Sequence, residues 1–82
     1  MPVIARFYGI LIKFYFNDHL PPHFHAIYGE FNGIFHIDTL EMLEGDMPIR
    51  AKKLVVEWAK RYNSEIKKMW EEQEFHKLPG LE

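Results

Sequence analysis

The hydrophobic pattern of this 82-residue chain changes period near Pro48. Before it, apolar and polar side chains alternate, as they do along strands with one buried face. After it, Ala51, Leu54, Val55, Trp58, Ala59, Tyr62, Ile66, Met69 and Trp70 recur at three- and four-residue steps, which places them on one stripe of a helix. A chain with strands first and helix last, each with one apolar face, buries both most simply by laying helix on sheet. The expected fold is a two-layer α+β domain: an antiparallel sheet of about four strands packed against one long or two collinear C-terminal helices. The expected domain is single, with sheet over 1–40, helix over 48–75 and a tail over 76–82.

The strands read as hairpin, diproline corner, hairpin. A two-residue turn at Tyr8-Gly9 pairs Phe7 with Ile10, Ala5 with Ile12 and Val3 with Phe14, all apolar and on one face, while Arg6, Lys13 and Tyr15 point the other way. Beyond the corner, Phe24, Ala26 and Tyr28 alternate with His23, His25 and Ile27. The second turn falls at Gly29-Glu30 or at Asn32-Gly33, and the first is preferred because it sets Phe24 opposite Phe35 and His23 opposite His36. Either register leaves His23, His25 and His36 on one side, the side expected to face away from the helix. In the helical half, Pro48 suits the first turn with Asp46 as a capping candidate, and Asn63-Ser64 marks a break or a second cap.

A chain this short needs large side chains to make a core, and seven Phe, four Tyr and two Trp supply them. With no cysteine, disulfides and thiolate metal sites are excluded. The beginning has no charged n-region or small-residue cleavage site, and the apolar runs are too short for a membrane span, so the expected location is cytoplasmic, without membrane contact. Net charge is −2, which does not suit a generally basic polyanion binder. The distribution is uneven: Asp38, Glu41, Glu44 and Asp46 precede a stretch in which Arg50, Lys52, Lys53, Lys60, Arg61, Lys67 and Lys68 face only Glu57 and Glu65. Such a stretch serves a helix as its solvated face or offers a surface for nucleic acid.

Chemistry concentrates in Asp18-His19-Leu20-Pro21-Pro22-His23-Phe24-His25, where two prolines restrict the backbone between ionisable groups. His23 and His25, two apart on a strand, share a face. With Asp18 and His19, or with His36, they form a candidate site for a divalent transition metal such as zinc, nickel or iron. The same residues can instead brace the corner through bonds to nearby backbone. A metal-free alternative is acid–base cleavage of RNA by His23, His25 and His36, with Lys13 or Arg6 stabilising the developing negative charge. Nucleophilic and P-loop mechanisms are disfavoured, because there is no cysteine, the single serine (Ser64) lies in the helical region, and no glycine-rich phosphate loop is present.

The opening Met1-Pro2-Val3-Ile4-Ala5-Arg6-Phe7-Tyr8-Gly9-Ile10, the block Tyr15-Phe16-Asn17-Asp18-His19 with Pro21-Pro22-His23-Phe24-His25 and Tyr28, then Leu54-Val55, Glu57-Trp58 and Trp70, resemble a small prokaryotic family known as domain of unknown function 4160. The resemblance covers nearly the whole chain, and the Pro-Pro-His-Phe-His block is its specific part. It implies a toxin-antitoxin-like gene pair, with a small protein encoded by a neighbouring gene as partner, and it implies no catalytic residues. The favoured reading is therefore a binding or regulatory protein that contacts a partner protein or nucleic acid. The candidate contact residues are Arg6, Lys13 and Tyr15 on the sheet and Lys53, Lys60, Arg61, Lys67 and Lys68 on the helical region. Phe75, Leu78 and Leu81 are expected to be exposed enough to meet a second chain.

Overall fold

A computed structural model describes residues 3–15 and 19–81. Its elements run β1 (Val3–Phe7), β2 (Ile10–Lys13), β3 (His23–Tyr28), β4 (Phe31–His36), β5 (Met42–Gly45), α1 (Ile49–Arg61) and α2 (Asn63–Glu72). The strands form one antiparallel sheet in sequence order, with the helices after it, so the fold is α+β as expected. The sheet has five strands rather than four. The additional strand, β5, lies in the acidic stretch after Asp38 and pairs Phe35 with Met42, Ile34 with Glu44 and Gly33 with Gly45. Three of its four residues are exposed, so it carries little of the alternation that reveals a half-buried strand. Gly45 has φ +99, and a Cβ there would collide with the Asn32 carbonyl oxygen, which reserves the position for glycine.

Both hairpins turn where their apolar pairs require. Tyr8 (φ 49) and Gly9 (φ 80) are both left-handed, as a type I′ turn demands, and Phe7 faces Ile10 across it. Gly29 (φ 58) opens the second turn, and Phe24 faces Phe35 while His23 faces His36. One pairing differs: Val3 lies opposite Lys13, not Phe14, because the register shifts between Val3 and Ala5. The extra residue, Ile4, explains why Ile4 and Ala5 are both buried despite the period of two.

The helical stripe divides at Tyr62 (φ −111, ψ 25), although its N–H still reaches the Trp58 carbonyl at 3.1 Å and its carbonyl accepts from Ile66 at 3.0 Å. The expected caps are not used. Pro48 occupies the N-cap position itself, and Asp46 accepts from the Met47 N–H at 2.9 Å instead. Asn63 starts α2 and donates its side-chain N–H to the Ile37 carbonyl at 2.9 Å, tying the helix to the end of β4. α2 ends at Glu72, short of residue 75, because Gln73 turns left-handed (φ 56).

Core side chains meet between the layers. Trp58 is 0% exposed; its ring lies 5.8 Å from Phe7 and 6.1 Å from Phe24, and Phe24 in turn stacks on Phe35 at 5.5 Å. The segment after α2 returns to this core instead of standing free. Phe75 packs on Phe14 at 5.2 Å, the Leu78 N–H donates to the Ile4 carbonyl at 2.8 Å, and the Trp58 indole N–H donates to the Pro79 carbonyl at 2.8 Å. Phe75, Leu78 and Leu81 are thus partly buried against the core, correcting their expected exposure. The bond to Ile4 also occupies an acceptor on edge strand β1, while the short, exposed β5 with Glu44 forms the other edge. No helix among the described residues is long and apolar enough to cross a membrane.

Candidate functional site

The diproline corner feeds directly into β3 and sets three imidazoles in a row. The rings of His19 and His23 are 5.4 Å apart, and those of His23 and His25 are 5.2 Å apart. Tyr15 meets His25 edge-on at 4.4 Å. Asp18, expected beside them, lies outside the described residues. Among the described residues, no three histidine or carboxylate groups are placed to hold a metal ion.

The row is not uniformly open, which corrects the expectation that His23 would stand on an uncovered face. His23 is 3% exposed, closed in by its neighbouring imidazoles and by Trp70 of α2, whose ring centre is 5.2 Å away. Its position explains this. The β2 ladder ends at Lys13 opposite His25, so His23 sits past the last rung at a corner of the sheet, where a large side chain of the helical layer reaches it. Its Nδ1 lies 2.7 Å from the Pro21 carbonyl. A carbonyl only accepts, so Nδ1 carries the proton and, in the neutral ring, Nε2 is the basic nitrogen. That bond fastens the ring to the corner that precedes it, as in the bracing role. No buried side-chain nitrogen or oxygen among the described residues lacks a hydrogen-bond partner.

His36, opposite His23 in register, is half-buried and serves its own turn. Its Nδ1 accepts the N–H groups of Asp38 at 3.0 Å and Thr39 at 3.3 Å, which leaves Nε2 as the protonated nitrogen of the neutral ring. Of the three proposed catalytic imidazoles, His25 is therefore the one that combines partial exposure with a cationic register partner, Lys13.

His25 belongs to a wider surface. On the sheet side opposite Phe24, Ala26 and Phe35, the register aligns Arg6, Leu11, Ile27 and Asn32 in one row and Lys13, His25, Ile34 and Glu44 in the next. Leu11, Ile27 and Ile34 are only half-buried, whereas the core-facing residues between them are closed off. Leu11 and Ile34 were not among the residues picked from sequence. The signal was present in the unbroken run Ile10-Leu11-Ile12, since a strand with one fully hydrated face would alternate there.

The helical cations Lys53, Lys60, Arg61, Lys67 and Lys68 are all exposed. Lys67 pairs with Asp38 at 3.1 Å, an exposed ion pair of the kind worth about 0–1 kcal/mol. They lie on the helical layer, so the structure does not join them to Arg6, Lys13 and Tyr15 in one patch.

The family model for Domain of unknown function (DUF4160) matches residues 9–71, from the first turn through β2, the histidine corner and nearly all of α2. No curated protein and no solved structure was found to match the chain. The match spans most of the sequence, and the chain belongs to the family Domain of unknown function (DUF4160).

Proposed function

We propose that this is a small cytoplasmic binding protein, one member of a regulatory gene pair of the toxin-antitoxin-like kind, which docks a partner protein on the outer face of its sheet. The observation that carries this reading is the half-buried stripe of Leu11, Ile27 and Ile34, bordered by Arg6, Lys13 and the Tyr15–His25 pair, with no described element laid over it. An apolar centre with a polar rim is the usual anatomy of a protein interface. Among the described residues in its two aligned rows, two cations, Arg6 and Lys13, stand against one acid, Glu44, which suits a partner whose apolar patch has an acidic margin.

Co-expression with the small protein whose gene adjoins its own tests the reading. A complex is expected to form, and Ile27→Asp is expected to weaken it by about 100-fold, because a carboxylate would be desolvated without a partner. Lys13→Glu, which leaves the apolar stripe intact, is expected to slow association and reduce its salt dependence. Thermal melts of each variant separate lost binding from lost folding. Absence of a complex, or a complex indifferent to Ile27→Asp yet weakened by Lys60→Glu, would contradict the proposal.

A second reading draws on the contiguous imidazoles. Here the half-buried His25 exchanges a proton with an RNA phosphodiester beside its register partner Lys13. Cleavage of a labelled single-stranded RNA that disappears in His25→Ala would favour it over docking.

A further inference from the structure

At the end of the sheet away from the histidine corner, a cleft of about 540 Å³ opens between the hairpin turns and α1. Its volume falls in the usual range of small-molecule sites. Ile10 and Ala51, both buried, and Leu54 give it an apolar floor. Two large aromatic side chains line it while remaining partly exposed, Tyr8 at 54% and Tyr28 at 38%. Tyr28 lies over the Tyr8-Gly9 turn, since a Cβ on Gly9 would sit 3.4 Å from its ring. The two rings therefore belong to one end of the cleft.

The helix side supplies charge. Arg50 and Glu57 both line the cleft and are exposed. Seven residues apart, they stand on one helix face at a separation of about 10 Å along the axis. The first turn of α1 contains no acidic residue to neutralise Arg50. A ligand that uses the whole cleft must then offer a flat ring to the tyrosines, an anion to the guanidinium and hydrogen-bond donors to the carboxylate, spread over two helical turns.

We propose that this cleft binds a guanine nucleotide. The base lies against Tyr8 and Tyr28, its adjacent ring N–H and amino group donate to the Glu57 carboxylate, and the phosphate pairs with Arg50. Adenine lacks the two adjacent donors, so Glu57 selects guanine. The same unit occurs as a free nucleotide and within single-stranded RNA, and the cleft is open enough at its rim for either. This site is separate from the outer sheet face, and its occupation does not depend on partner docking.

Guanosine monophosphate, adenosine monophosphate and a hexaribonucleotide with one guanine in a uridine tract are the probes, followed by amide NMR shifts and titration. Guanosine monophosphate is expected to shift Tyr8, Tyr28, Arg50 and Glu57 and to bind more tightly than adenosine monophosphate. Tighter binding of the hexamer at the same residues would identify RNA as the source, and its equal or weaker binding the free nucleotide. Tyr8→Asn is the decisive variant. Asparagine suits the left-handed φ of 49 at this turn better than tyrosine does, so the fold is expected to be retained while affinity drops by about 10-fold. Arg50→Gln is expected to reduce affinity similarly, and Glu57→Gln to erase the preference for guanine. No shift at these residues with any probe, or affinities unchanged in Tyr8→Asn and Arg50→Gln, would overturn the proposal.

Discussion

Trp58→Ala is expected to lower the unfolding free energy by about 3–5 kcal/mol, a large share of the roughly 4–12 kcal/mol typical of a domain of this size. The indole is completely buried and joins both layers. It lies beside Phe7 of β1 and Phe24 of β3, contacts Tyr62 at 5.7 Å in the helix break, and its N–H holds the Pro79 carbonyl. Truncation would leave a cavity that strands and helix cannot close together, because each is held by its own hydrogen-bond ladder. Trp58→Phe keeps much of the volume but loses the donor to Pro79. It is expected to cost about 1–2 kcal/mol and to speed hydrogen exchange at the Leu78 amide, whose bond to Ile4 depends on the same returning segment. Urea unfolding of the two variants gives the first comparison and amide exchange the second. A Trp58→Ala protein with an unchanged midpoint would mean that the layers are held by something other than this ring.

The second large effect separates two neighbouring histidines. His23→Ala is expected to cost about 2–3 kcal/mol, since it removes a buried ring packed on Trp70 and the donor to the Pro21 carbonyl. His25→Ala, at a half-exposed position, is expected to cost less than about 1 kcal/mol. The pair therefore divides by role, His23 bracing the corner and His25 contributing to the outer surface. Denaturation midpoints read the difference directly. Equal midpoints would remove the bracing role of His23 and bring it back as a candidate for chemistry.

What could be read from the residues alone follows the physics of each element. The hairpin turns were legible because pairing Phe7 with Ile10, and Phe24 with Phe35, keeps large apolar side chains on a common face next to a glycine turn, although Asn32-Gly33 offered a second turn for the latter hairpin. The helical stripe was legible from spacing, whereas its division at Tyr62 was indicated only by Asn63-Ser64 as a possible cap, which left one helix or two open. β5 was not, since its pairing depends on backbone bonds and on a glycine at φ +99 rather than on an alternating pattern. Nor was the bulge at Ile4, which becomes apparent only once the opposing strand is in place. The return of Phe75, Leu78 and Leu81 to the core rests on two long-range bonds, to Ile4 and from Trp58, that no local pattern announces.

The histidines show the same limit at the site. Strand parity places His23, His25 and His36 on one side of the ribbon, but it carries no information about depth. Trp70 reaching over the end of β3 buries His23, and the turn after β4 engages His36, so three residues with equivalent sequence positions acquire three different environments. The outer face was half legible. Arg6, Lys13, Tyr15 and His25 were identified from it, while Leu11 and Ile34, which make its centre apolar, emerged only when the rows of the sheet were aligned.

Helices cover one side of this sheet, and the central proposal is that the other side docks a partner protein. Methyl NMR of the labelled chain, recorded with and without the proposed partner, a small protein encoded by an adjoining gene, tests it most directly. The account predicts that the Leu11, Ile27 and Ile34 methyl signals shift on binding while those of Val55 in α1 and Ile66 in α2, both buried, stay in place. Shifts confined to the helical layer, with those three methyl groups unmoved, would contradict it.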